Sequence, residues 1–244
     1  MLELESLFWL GAVGMALGTA AFAWGGRGTT GNERRYYLTL VGISGIAAIA
    51  YIIMALGFGW VTFDGRTIFV PRYIDWILTT PLIVLFLGML AGLDRRQFTI
   101  VLTLDTVVMV LGFAAAMLSG VGRFALFGVG AAAFVALAYY FVGPATATAS
   151  TRSDGKLSLY VRLRNLTIIL WSIYPLLWVL GSAGFGLLTL TVEVALVAYL
   201  DLVTKVGFGL IALDASSTMQ SEAGESLAGT DTGAETGTEA PAAD

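Results

Sequence analysis

Seven stretches of strongly apolar character, each close to twenty residues long, dominate this sequence. They run at about residues 6–24, 35–56, 70–92, 98–118, 124–142, 163–180 and 187–213, separated by Gly, Pro or charge. About twenty apolar residues in a helix match the hydrocarbon thickness of a bilayer. Lipid offers no partner to a backbone N–H or C=O, so helices, which close their own hydrogen bonds, are the open-ended elements able to cross it. The expected fold is an all-α membrane protein, a seven-transmembrane-helix bundle. Only 12% of the residues are charged and 57% are hydrophobic, whereas a soluble domain carries about twice that charged share. No repeat of 20–50 residues is evident, which argues against solenoids and inverted-repeat transporters.

What the chain lacks narrows its chemistry. It contains no cysteine and no histidine. Disulfides, thiolate nucleophiles, histidine metal sites and the Ser-His-Asp triad are excluded. The opening Met-Leu-Glu-Leu-Glu has no basic region, so the first apolar stretch is expected to be the first span rather than a signal peptide. The formal net charge of −4 hides an uneven distribution. Much of the acid lies at 221–244, among Ser, Thr, Gly and Ala, and residues 215–244 are expected to form a cytoplasmic, disordered acidic tail after a membrane domain at 1–214.

Basic residues predict the orientation. Arg27, Arg34, Arg35, Arg95, Arg96, Arg152, Lys156, Arg162 and Arg164 follow the first, third and fifth spans, against Arg66, Arg72 and Arg123 on the other side. The richer set belongs in the cytoplasm, so the N-terminus is expected outside and the C-terminus inside. Between the second and third spans, residues 61–69 alternate apolar and polar around Asp64-Gly65. That pattern predicts a short exposed β-hairpin.

Within the last span stands Asp201-Leu-Val-Thr-Lys205. A lysine inside hydrocarbon costs about 3 to 17 kcal/mol depending on how it is relieved, and the aspartate four residues earlier shares its helix face. Two readings stand at this point. The pair either glues two helices together, or the lysine is held desolvated so that its amine can condense with a carbonyl cofactor. In the third span Arg72 and Asp75 lie three apart and Trp76 follows. Asp75 and Asp201 are both expected on the outer flank of the lysine. Two acids, one arginine and one ammonium sum to zero charge, as a buried cluster requires.

Aromatic residues favour a ligand. Trp171, Tyr174 and Trp178 form a stripe at helical spacing beside Pro175. Such a stripe is more often plain packing, but with Trp76 it offers three flat indole faces suited to a flat conjugated molecule.

Taken together, Arg72-Tyr-Ile-Asp75-Trp76-Ile-Leu-Thr79-Thr80-Pro81-Leu82, Trp171-Ser-Ile-Tyr174-Pro175 and Asp201-Leu-Val-Thr-Lys205 resemble the microbial (type 1) rhodopsins, from about residue 7 to 214. The resemblance implies retinal, all-trans in the dark, bound to Lys205 as a protonated Schiff base. It implies Asp75 as counterion and proton acceptor, Asp201 as second counterion, and Arg72 and Thr79 beside them. A pocket of Trp76, Thr80, Val108, Met109, Gly112, Phe127, Gly130, Phe134, Trp171, Tyr174 and Trp178 follows from the same likeness.

Within that family, Asp75 disfavours the chloride pumps. Position 86, three turns and roughly 16 Å beyond Asp75 on the same face, is where the proton pumps place a carboxylate that returns the proton. Here it is Phe86. Return should be slow, which suits a sensor. Segments such as Arg34-Arg-Tyr-Tyr, Leu159-Tyr-Val-Arg-Leu-Arg-Asn-Leu and Tyr199-Leu-Asp-Leu-Val-Thr-Lys-Val-Gly-Phe-Gly are similar to the haloarchaeal sensory rhodopsin II group. That likeness implies a photoreceptor for light avoidance, bound through Thr189 and Tyr199 to a two-span transducer of chemoreceptor type, with a Tyr174–Thr204 bond formed during signalling. The alternative is a slow light-driven outward proton pump. A lysine-dependent membrane enzyme is disfavoured, no nucleic-acid partner is indicated, and homo-oligomer formation stays open. Two residues depart from the pattern. Asp105 lies mid-membrane without an evident cation and is expected to be neutral there, near the ring end of the cofactor. Glu193, facing Ala183 at the outer mouth, is either a proton-exit group or an interfacial carboxylate.

Overall fold

The computed structural model describes residues 2–215. Its elements are α1 (Leu2–Gly25), α2 (Gly31–Ala55), β1 (Trp60–Phe63), β2 (Arg66–Phe69), α3 (Val70–Ala91), α4 (Arg95–Ala116), α5 (Gly120–Val142), α6 (Pro144–Ala149), α7 (Asp154–Trp171), α8 (Ile173–Leu180) and α9 (Leu190–Leu202). A π-helical turn, Val203–Gly207, follows α9 and leads into further α-helix at 208–215. Among the described residues, seven helices are long and apolar enough to cross a membrane, with α7 and α8 forming one span and α9 running on to Ala215. The acidic stretch read at 221–244 lies outside the described residues.

The spans begin where local chemistry permits. Asp94 caps α4 by accepting from Gln97 N, while the Gln97 side chain accepts from Asp94 N. This reciprocal box satisfies two otherwise orphaned amides and starts the helix at Arg95, three residues before the apolar run. The sixth span also begins earlier than hydropathy suggests, at Asp154 rather than 163. Its first turns are polar and basic, so an apolar window cannot see them. Pro175 lacks the amide that would bond back to Trp171, and the helix is interrupted there, at Ser172.

The hairpin forms as the sequence predicts. Trp60 pairs with Phe69 and Phe63 with Arg66. Asp64 and Gly65 both take positive φ (50° and 72°), as a two-residue turn matching strand twist demands. Phe69 and Trp60 pack edge-on with each other and with Phe8 of α1, fixing the hairpin over one end of the bundle. Arg66 donates to the Ala183 and Leu118 carbonyls, and Arg123 to that of Gly184. The loops at the hairpin end are thus tied together.

The interior divides along the bundle axis. Near the hairpin, Phe8, Tyr51, Met54, Phe69 and Val194 pack together. Toward the opposite end lies a larger cluster with Leu40, Phe86, Leu137, Tyr160, Trp171 and Phe208. Large apolar side chains such as Leu17, Val135 and Tyr139 point outward, as expected where lipid is the solvent.

Candidate functional site

Lys205 sits between these two clusters, 2% exposed, in the middle of the π-helical turn. Single π turns inside α-helices widen the spiral by one residue and occur often at functional sites. The Lys205 ammonium donates to Asp75 Oδ2 from α3, and Asp201 Oδ1 lies 3.8 Å away. The two carboxylates are 1% exposed each, so the three charges leave water together. Isolated burial of any one would be prohibitive; pairing makes the cluster tenable.

The two acids are held differently. Asp201 accepts from Tyr51 Oη at 2.8 Å, from Tyr174 Oη at 2.7 Å and from Trp76 Nε1 at 3.2 Å. Three donors from three helices fix its orientation and stabilise its charge. Asp75 has only the lysine: its Oδ1 is buried without a hydrogen-bond partner among the described residues. The Thr79 hydroxyl, although adjacent, donates to the Asp75 backbone carbonyl at 2.8 Å.

Arg72 takes an ion-pair partner that its spacing did not name. Its spacing from Asp75 suggested a shared cluster, but the carboxylate within 4 Å is that of Glu193, at 3.9 Å. The guanidinium lies over the Phe69 ring at 5.0 Å. Arg72 stands three residues before Asp75 at the very start of α3, where its side chain reaches both Glu193 and the Phe69 ring of the hairpin. Glu193 also accepts from Ser182 N at 2.8 Å, and so ties the loop after α8 to α9.

A cavity opens from Lys205 toward α4 and α5. It is lined by Lys205, Trp76, Thr80, Val108, Met109, Gly112, Phe127, Gly130, Phe134, Trp171, Tyr174 and Trp178, together with Arg72, Glu193, Asp201 and Thr204. All twelve expected pocket residues therefore meet in one space, drawn from five helical spans. Asp75 and Thr79 stand behind the wall on α3, and Asp105 is buried behind Thr80. At the far wall Phe127 and Trp178 stack with centroids 4.1 Å apart and planes at 10°. A Cβ at Gly112 would meet no atom within 4 Å, so the cavity owes part of its room to that missing side chain.

Three features escaped the sequence reading. Tyr51 was silent inside an apolar span, although a buried hydroxyl needs a partner and could have been flagged on that ground. The Thr80 hydroxyl stands 3.0 Å from Asp105 Oδ2 and 2.8 Å from the Trp76 carbonyl, a contact that only the helix packing reveals. The π turn has no sequence signal. Tyr174 and Thr204 oxygens are 3.4 Å apart. Thr189 caps α9, accepting from Val192 N at 3.4 Å, and Tyr199, 65% exposed, lies with Val192 and Leu196 on the outward face of that helix.

Seven membrane helices around a buried lysine, two carboxylates and a slot with indole walls define the architecture of the retinal-binding rhodopsins of microbes. The sequence matches the bacteriorhodopsin-like protein family over residues 3–219, and the chain belongs to that family. It is 68% identical over 234 residues to sensory rhodopsin-2 of Natronomonas pharaonis, covering 96% of this chain and 98% of that one. It is 45% identical to sensory rhodopsin-2 of Haloarcula vallismortis, over 87% of this chain and 91% of that one. Among solved structures, thermophilic rhodopsin from Rubrobacter xylanophilus superposes with a TM-score of 0.84 at 40% identity, covering 87% of this chain and 95% of that one.

Proposed function

We infer that this protein is a membrane photoreceptor for phototaxis, not an enzyme, and that its chromophore is retinal carried on Lys205. The family implies retinal, and the cavity suits it. The lysine amine lines one end, flat rings form the walls, and Gly112 opens space that a side chain would fill. Held there, retinal would supply light absorption and an isomerisation that displaces the nitrogen of residue 205.

The residues around that nitrogen give the event a direction. Lys205 Nζ carries the proton and Asp75 Oδ2 accepts its hydrogen bond. Asp75 is the better proton acceptor, because Asp201 already has three donors and gains little from a fourth. Transfer to Asp75 abolishes the ion pair that joins α3 to the last helix. Loss of one partner in a buried pair is worth about 3–5 kcal/mol, sufficient to shift a two-state bundle. Tyr174, already 3.4 Å from Thr204, links α8 to the last helix and is positioned to carry the change sideways. The receiving partner is a two-span transducer lying along Thr189 and Tyr199. Glu193, paired with Arg72, holds the hairpin end as a proton-exit residue. Asp105 is neutral: one Thr80 hydroxyl proton cannot serve both the Trp76 carbonyl and Asp105, and a proton on Asp105 meets the second contact. The excess of basic residues in the loops opposite the hairpin supports a cytoplasmic C-terminus with the hairpin outside.

The observation that carries a sensor over a pump is Phe86. It is 3% exposed and packs edge-on against Tyr36 and Phe208, at 5.0 and 5.2 Å, where a pump needs an acid to return the proton. Reconstituted with all-trans-retinal in vesicles, the protein is expected to bleach and recover slowly without sustained acidification, and to co-purify with a two-span transducer. Steady light-driven proton export would defeat the assignment.

A further inference from the structure

We propose that the seam between α5 and α8 is the port through which the chromophore, a lipophilic polyene aldehyde, passes from the bilayer into the cavity, with the stacked rings of Phe127 and Trp178 as its door. The proposal rests on the retinal reading above and concerns how that molecule reaches Lys205.

A long apolar molecule partitions into lipid rather than water, so its route into the cavity should open on the hydrocarbon region. The other boundaries of the cavity are closed by hydrogen bonds or close packing. At the hairpin end, Arg66 and Arg123 hold the loop carbonyls of Ala183 and Gly184, and Glu193 holds Ser182 N. At the opposite end, Ile83, Phe86, Trp171 and Phe208 belong to one buried cluster. Between α3 and α4, Tyr73 stacks on Phe113 at 4.9 Å and Thr80 bonds to Asp105. Between α4 and α5 the backbones nearly touch: a Cβ on Gly130 would lie 3.6 Å from the Val108 carbonyl oxygen. Between α8 and the last helix, Tyr174 bonds to Asp201.

The α5–α8 seam is closed by rings, with one polar tie at its outer end, where Arg123 of α5 donates to the Gly184 carbonyl in the loop after α8. Among the described residues no side-chain hydrogen bond joins the two helices, and rings meet across the seam in the Phe127–Trp178 stack and the edge-on Phe124–Trp178 pair at 6.2 Å. Gly128 and Val129 on one side and Leu176 and Leu180 on the other face outward. The interruption before Pro175 separates α8 from α7, which allows the short helix to tilt without unwinding its neighbour. Swinging the Phe127 ring aside breaks ring contacts, and that ring forms the cavity wall once the ligand is in place.

The test uses full-length protein made without retinal, reconstituted in phosphatidylcholine vesicles. All-trans-retinal is supplied in the vesicle membrane and the rise of visible absorbance is timed. Phe127→Ala should form pigment about three to ten times faster than wild type, the range expected for loss of one aromatic pair. Arg123→Gln, which frees the outer end of the seam and alters no cavity wall, should also speed the rise while leaving the final absorbance maximum unchanged. Thr19→Val, which loosens the α1–α2 seam through its bond to Ser44, should leave the rate alone. Unchanged rates for both seam variants, or equal acceleration by Thr19→Val, would overturn the port. If Phe127→Ala takes up no retinal, Arg123→Gln decides. A wild-type protein that never colours refutes the retinal reading itself, which is a separate result.

Discussion

The two sides of Lys205 are built from opposite materials. Toward the hairpin lie Asp75, Asp201, Tyr51, Trp76 and Tyr174, a continuous set of donors and acceptors, with the Arg72–Glu193 pair beyond. Away from it lie Phe86, Phe208, Tyr36 and Phe22, rings against rings. A proton leaving the lysine finds an acceptor at once on the first side and no carrier on the second. On the proposed reading, the contrast makes persistence of the light-activated state a packing property. It is set by what was left out of the far side as much as by the acids on the near one.

Substitutions can break or sharpen that contrast. The largest effect is expected for Lys205→Ala: purified protein supplied with retinal should stay colourless by absorption spectroscopy, and a retained visible band would end the account. Asp75→Asn should remove the near-side acceptor, so flash photolysis should show no deprotonation at residue 205, and the absorbance maximum should move to the red. Placing an acid on the far side, Phe86→Asp, should hasten dark recovery about a hundredfold, the lower end of the range for a well-placed proton donor. Recovery at the wild-type rate would mean that packing there does not limit proton return. Tyr51→Phe leaves Asp201 with two of its three donors and should lower the stability of the coloured form by about 1.5–3 kcal/mol, the usual worth of a hydrogen bond to a charged group, read from thermal bleaching. The smallest change is expected for Asp105→Asn. On the proposed reading an amide there replaces a neutral acid behind Thr80, so the spectrum should shift by little, and a large displacement would show that Asp105 is charged.

Much of this was legible in the sequence because a bilayer permits so few folds. Seven apolar runs leave one economical solution, and Asp64-Gly65 specifies its turn by the φ values it can adopt. The lysine and its two acids were legible for a related reason: charges in hydrocarbon need partners, and spacing offered few. Partnership across helices was not legible. Arg72 looked like a companion of Asp75 because three residues separate them, yet its position at the start of α3 carries it to Glu193. Tyr51 lies 150 residues from Asp201, a distance over which no periodicity speaks. The start of the sixth span was misplaced because its first turns extend beyond the apolar zone.

The wide turn at Val203–Gly207 leaves the last helix with slack at its centre. One surplus residue is stored beside the amine, and returning it to ordinary α-winding would swing everything beyond by about 100° around the axis. The stretch after Gly207 can thus be re-aimed with the other end of the same rod left clamped, much as a cable is turned at a swivel without moving its anchor.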